Sequence, residues 1–443
     1  MRDLVFGYPT LAEATKDQIV ASGDERFVAV FLELMRAIQI GVVQELSYPE
    51  VVEALTELTG EPYGGNWPAW VEWYGRTDLE PPEGFAAWKA ALFARIDPGF
   101  ADFLSGEPLS TLRIEAVLWG GVRIGSIPAL DNPSLIAAEE ADYLRPDEPV
   151  FGLTVNGDAR AYPLAILDWH ELVNDVVGGT PVSLAYCTLC GAGIVYDGRA
   201  SNGEIYTFGT SGLLYRSNKV MYDRETRSLW NQLTGKPIIG PLVRQDVRLN
   251  LLPVVLTSWE AWQTQHPETL VLSPDTGYER PYRLGAAYGD YFASPFTMFP
   301  VSQRSDLLDQ KEQIYALRVD SVPVAYPIET LVEEEVVNDT VEDAGLVVIA
   351  RGGSLTGYGE SIRTGPVTYE AGAEVRAYYR QTERFEPGPE PDQLLDEQGG
   401  IWQVTEETLL GPSGERRERI SGHIAYWFGW YAFYPQTLVY GIE

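Results

Sequence analysis

The chain has 443 residues, with 64 acidic against 32 basic side chains and a formal net charge of −32. A surface this negative repels phosphate backbones and anionic head groups at long range, so nucleic acid and membrane surfaces are poor partners. Hydrophobic residues make up 45% and aromatic residues 12% of the chain, which marks a globular protein whose length suggests two to four domains.

No apolar run approaches the ~20 residues of a membrane span, and the first twenty residues show no apolar leader with a small-residue cleavage site. The reading is a soluble, cytoplasmic protein without membrane insertion, an exported mature form staying open. Near the start, Phe27, Val30, Phe31, Leu34, Met35 and Ile38 place one apolar stripe on a helix. Similar stripes follow over 48–59 and 84–95, punctuated by Pro81-Pro82 and by Pro108-Leu109-Ser110-Thr111. A helical module over 1–118 is expected, offering a surface for a protein partner.

From about 120 onward, strand-like runs at 150–155, 181–186, 194–196, 204–208 and 251–256 alternate with turn signals, of which Asn156-Gly157 is the strongest for a hairpin. Pro163 suits the first turn of a helix, and 164–175 reads as that helix, closed by Asn174 and Asp175 and ending near Gly178-Gly179. The chain also repeats itself. Ala161-Tyr162-Pro163 and Val173-Asn174-Asp175 align with Ala325-Tyr326-Pro327 and Val337-Asn338-Asp339 at one offset of 164. Later, Trp230, Gly240-Pro241 and the block 266–271 answer Trp402, Gly411-Pro412 and 434–439. The expected fold is therefore α+β: a helical N-terminal module, a first mainly β lobe over 119–280, and a second lobe over 281–443 derived from it by internal duplication. The stretch 274–300 reads as linker, and 383–400 as an exposed acidic loop.

The only two cysteines stand at Cys187 and Cys190, close to His170, one of three histidines. At the same offset the second lobe carries Glu334, Arg351 and Ser354 at these positions, and Tyr434 answers His266. Chemistry is therefore expected in the first lobe alone. Three readings of Cys187-x-x-Cys190 stay open. The first is a metal knuckle completed by His170 and by either His266 or Met221, holding zinc or, with Met221, copper. The second is a redox-active dithiol or disulfide, and the third a pair of inert buried thiols.

Glycines and strand-like residues, not a helix, follow the cysteines, which argues against a thioredoxin fold. His170-Glu171-Leu172-Val173-Asn174 lacks the second histidine of a zincin. Gly191-Ala192-Gly193 lacks the lysine and helix of a phosphate loop, so no nucleotide cofactor is expected. Ser211 lacks the glycine of a nucleophile elbow. With Arg216, Asn218, Asp223 and Arg224 it could line an anion pocket, or simply decorate a hairpin. Trp259, Trp262 and His266 share a helical face expected to pack inward, with His266 either near the site or capping its helix.

The segments Ala161-Tyr162-Pro163, Trp169-His170-Glu171 with Val173-Asn174-Asp175, Tyr186-Cys187 with Leu189-Cys190-Gly191, the block 207–230 and the late His266-Pro267 resemble a prokaryotic family known only as domain of unknown function 3179. The resemblance is strong over 120–275, continues through the second copy and implies no activity. The function classes in view are a metal- or thiol-dependent oxidoreductase, a non-enzymatic metal-binding protein, and an interaction protein whose Cys-x-x-Cys staples a turn. Substrate and reaction are not readable.

Overall fold

A computed structural model describes residues 1–104 and 110–442; Pro108 and Leu109, used above as punctuation, lie outside the described residues. The N-terminal stripes form the helices Val28–Gln39, Tyr48–Thr59 and Phe85–Phe93. Tyr48–Thr59 shows why its ends fall where they do. Ser47 and Glu50 make a reciprocal capping box, and Gly60 takes the left-handed conformation at the C-terminus. The helical core is continuous with the first lobe, because Phe31, Leu55 and Phe93 belong to one apolar cluster with Leu118, Leu213 and Leu229. Strand Val117–Trp119, at the expected module boundary, pairs with Phe208–Tyr215 of the first lobe.

Three five-stranded sheets contain the strands of the first lobe. Pro149–Val155 and Asp158–Pro163 form the expected hairpin, and Thr180–Cys187 pairs with Ala192–Asp197. The expectation of a helix to 175 needs correction. Helix Leu164–His170 stops at Glu171, whose φ of 58° breaks the right-handed path, and Leu172–Val177 is a strand. The β-branched Val173, Val176 and Val177 favour that outcome. Asn174 and Asp175 therefore cap no helix. The Asn174 amide bridges the backbone of Phe208, and Asp175 accepts the Tyr162 hydroxyl at 2.8 Å. The run 204–208 also differs: the strand begins at Phe208, and Pro253 splits 251–256 between Asn250–Leu252 and Val255–Ser258.

Gln313–Val319, Val322–Pro327, helix Ile328–Glu334 and strand Val336–Val341 follow in the order seen at 149–177. The side-chain bonds also recur. Tyr326 donates to Asp339 at 2.8 Å, Asn338 bridges the backbone of Phe385, and Glu335 has the same φ of 58° as Glu171. Trp230 donates to Asp223 and Trp402 to Asp396; Trp262 donates to Thr269 and Trp430 to Thr437. The run 383–400 is no plain loop, since Phe385–Pro387 and Gln393–Asp396 are strands at the edge of an eight-stranded sheet. Within 274–300, Gly289–Phe292 is a short helix.

A buried ionic cluster ties residues 257–265 to residues 374–419. Arg376 binds Glu374 and Glu406, Arg419 binds Glu406, and from the first lobe Thr257 and Gln265 bond to Glu374. Charges so far from water persist because each has partners on more than one side.

Candidate thiol site at the 187–190 turn

The turn joining strands Thr180–Cys187 and Ala192–Asp197 carries both cysteines, with Cys187 opposite Ala192. Cys187 and Cys190 are joined as a disulfide with their Cα atoms 5.5 Å apart, and each is 1% exposed. The Cys190 backbone N–H points at Cys187 Sγ at 3.3 Å, where it would favour negative charge on that sulfur. Gly191 takes a φ of 61° while a side chain there would meet the Tyr426 ring at 3.2 Å, so the turn and its packing both call for glycine. The second lobe clamps the turn: Tyr426 N–H donates to Cys190 O at 2.8 Å and the Tyr291 hydroxyl to Leu189 O at 2.5 Å.

Cys187 lines a cavity of about 60 Å³ whose wall also includes Glu171, Thr188, Lys219, Tyr288, Met298 and Phe299. The space is enough for about two water-sized molecules. Lys219 reaches in from strand Asn218–Asp223 and donates to Glu171 O at 2.7 Å and Tyr186 O at 3.0 Å. Its ammonium lies 3.6 Å from the Glu171 carboxylate. Burial pushes the Lys219 ammonium down to about 8, against the pull of Glu171. Burial likewise raises the Glu171 carboxyl, while Lys219 and the Thr188 hydroxyl hold it down. The positive φ at Glu171 is not specific to this site, because Glu335 shares it and is exposed. What is specific is the burial of the side chain beside a lysine and a disulfide.

Asp168 was not singled out in the sequence. It is 2% exposed, and neither carboxyl oxygen has a hydrogen-bond partner among the described residues. Burial, and then Glu171, raise its carboxyl well above the ordinary range. The phenols of Tyr186, Tyr369 and Tyr426 are pushed up by burial first and next by Asp168. The available signal was an acid within the apolar run Leu164-Ala165-Ile166-Leu167, at a position where the second lobe carries Val332. Lys219 was missed as well, hidden in a strand that reads as ordinary hairpin.

The other candidates each have partners of their own. His170 is buried, with Nδ1 2.8 Å from Pro128 O and Nε2 2.5 Å from the Tyr282 hydroxyl. The carbonyl can only accept, so Nδ1 carries the proton and Nε2 accepts from Tyr282. Both ring nitrogens are thus taken up by hydrogen bonds. Burial lowers the His170 ring from its ordinary value. His266 ends helix Trp259–Gln265, stacks 4.0 Å from Trp262 and lies 3.9 Å from Glu406, at the lobe junction. Trp259 and Trp262 pack inward as expected. Met221 is fully buried in the apolar core that also contains both cysteines. Among the described residues, no group of three or more His, Cys, Asp or Glu side chains is placed to hold a metal ion.

The polar set around Ser211 is hydrogen-bonded within the protein. Ser211 donates to Val220 O, Asn218 to Arg216 O, and Arg216 to Ala432 O. Asp223 gathers Thr226, Ser228 and Trp230, while Arg224 pairs with Asp131 at 2.7 Å. Ser211, Asn218 and Asp223 serve their own hairpin, whereas Arg216 and Arg224 reach distant parts of the chain. Among the described residues, no helix is long and apolar enough to cross a membrane.

No curated protein and no solved structure matches the chain. A family model matches residues 125–437, which takes in both lobes and the 187–190 turn, and on that match the chain belongs to the family described as protein of unknown function (DUF3179).

Proposed function

We propose that the first lobe is a thiol–disulfide oxidoreductase centre in which Cys187 and Cys190 cycle between disulfide and dithiol. The observation that carries this reading is the setting of the pair. The two sulfurs are joined across a strand-to-strand turn, and Cys187 opens on a cavity walled by Glu171, Thr188 and Lys219. In the reductive direction an incoming thiolate bonds to Cys187 Sγ as the S–S bond breaks, and Cys190 leaves as thiolate and takes up a proton. A second thiol attacks the incoming sulfur of that mixed disulfide, releasing Cys187. The Cys190 N–H and the Lys219 ammonium favour the Cys187 thiolate. Two thiols are oxidised to their disulfide and the protein gains two electrons and two protons.

A metal centre draws less support, because the His170 nitrogens bond to Pro128 and Tyr282. Thiol counting and elemental analysis on protein purified without added metal separate the two. The redox reading expects no free thiol in the oxidised protein and two after mild reduction in the folded state. One tightly held zinc or copper per chain, with both thiols reduced, would overturn it. We also infer that the lobes arose by duplication, a reading supported by the matched Tyr–Asp, Trp–Asp and Trp–Thr bonds at equivalent positions. The second lobe then serves as a clamp on the turn, through Tyr426.

A further inference from the structure

A cleft of about 910 Å³ lies beside the thiol site, between the N-terminal helices, the segment 292–300 and the second lobe. It adjoins the site through shared walls. Met298 and Phe299 line both the cleft and the cavity at Cys187, and Tyr426 lines the cleft while its backbone holds Cys190. Its rim is apolar and open: Phe296 is 77% exposed and Met298 48% exposed, two large apolar side chains on one loop. Buried Tyr369 forms part of the wall, and its hydroxyl has no hydrogen-bond partner among the described residues.

The charges around the cleft are one-sided. Arg304 is paired with Glu72, and Lys311 is committed to the Tyr291 and Ser294 carbonyls with its ammonium 3.9 Å from the Tyr291 ring. Asp309, Glu312, Glu329 and Glu370 line the same cleft, and none of the four takes part in the ion pairs of the described residues. A ligand for this surface therefore needs cationic groups beside apolar ones. A volume near the upper end for small-molecule sites, with exposed aromatic surface beyond it, suits a polypeptide segment better than a compact molecule.

We infer that the cleft is the docking site for the protein that exchanges electrons with Cys187–Cys190, and that this partner presents a segment of alternating basic and apolar residues. The exchange role rests on the proposed redox reading; the binding does not. Phe296 and Met298 take the apolar side chains, and Asp309, Glu312, Glu329 and Glu370 take the basic ones. The partner is then held against Met298 and Phe299, which also line the cavity at Cys187.

Fluorescence anisotropy with a labelled lysine- and leucine-rich peptide tests this on the full chain. The same peptide with glutamate for lysine, and a long-chain alkylammonium ion, serve as the other two probes. The lysine peptide should bind, weaken as salt rises to roughly 0.3 M, and lose at least about fivefold in affinity in the double variant Glu312→Gln, Glu370→Gln. Phe296→Ser should weaken it as well, while Glu57→Gln, outside the cleft, should leave it unchanged. Equal binding of the glutamate peptide, an unchanged affinity in the cleft variants, or equal affinity for the alkylammonium ion would each overturn the assignment. The measurement is repeated on Cys187→Ser, Cys190→Ser, where binding should persist. A chain that cycles its disulfide but binds no peptide overturns the docking site alone. A chain that binds peptide but never cycles overturns the redox reading alone.

Discussion

Lys219→Met tests the electrostatics beside the disulfide most sharply. The methionine keeps much of the side-chain volume but removes donors to Glu171 O and Tyr186 O, at 2.7 and 3.0 Å, and the ammonium 3.6 Å from the Glu171 carboxylate. Leaving a buried carboxylate without its cation costs about 3–5 kcal/mol, and buried carbonyls without donors add to that. Glu171→Gln alone leaves the ammonium without its carboxylate but keeps both carbonyl contacts, so it should cost less, about 1–3 kcal/mol. The double variant Glu171→Gln, Lys219→Met removes both charges together. It should be more stable than the sum of the single losses by about 1–3 kcal/mol. Urea unfolding followed by tryptophan fluorescence measures all four proteins. Strict additivity, or a Lys219→Met loss below about 1 kcal/mol, would refute a coupled buried pair.

His423 should make the fold acid-sensitive. Burial, with Arg318 adding to it, lowers its ring to about 3 in the folded protein against an ordinary 6.5. Between these values the unfolded chain binds more protons, so stability falls as pH drops through that window, by up to roughly 5 kcal/mol in all. The pH dependence of unfolding should be shallower in His423→Phe, and equal slopes in both proteins would contradict this. Tyr162→Phe and Tyr326→Phe should each cost about 1.5–3 kcal/mol, because each hydroxyl donates to an aspartate at 2.8 Å; unfolding midpoints that move for one alone would count against equivalent roles. Gly193→Ala would drive a Cβ into the Phe151 ring. It should destabilise by about 1–3 kcal/mol in thermal unfolding, and a neutral result would show that the ring can shift.

What was legible in the sequence follows from what is local. The stripes at 27–38 and 48–59 became helices because their apolar faces are buried, and at 48–59 capping signals at both ends agree with that burial. The Asn156-Gly157 hairpin formed because both residues take positive φ. The helix expected over 164–175 failed after His170, where tertiary pairing of Leu172–Val177 with Thr180–Cys187 outweighed the short-range reading. The cysteines were legible from composition, but the groups that give them a setting were not. Asp168 and Lys219 look like surface charges in one dimension. Their surroundings include Tyr369 and Tyr426 for Asp168, some two hundred or more positions away along the chain, and Met298 for Lys219, 79 positions away. The acidic run at 383–400 misled for a related reason: strand pairing to Ile401–Val404 draws part of it into the sheet despite its composition.

The central claim is that the 187–190 pair cycles in the folded protein. Folded protein equilibrated in a series of thiol–disulfide buffers, quenched with an alkylating reagent and weighed intact, measures this directly. The account predicts a reversible two-electron transition between zero and two alkylated cysteines, with near-ultraviolet circular dichroism keeping its native form throughout. A disulfide that stays unmodified until the chain unfolds, or cysteines that remain reduced across the whole series, would contradict it.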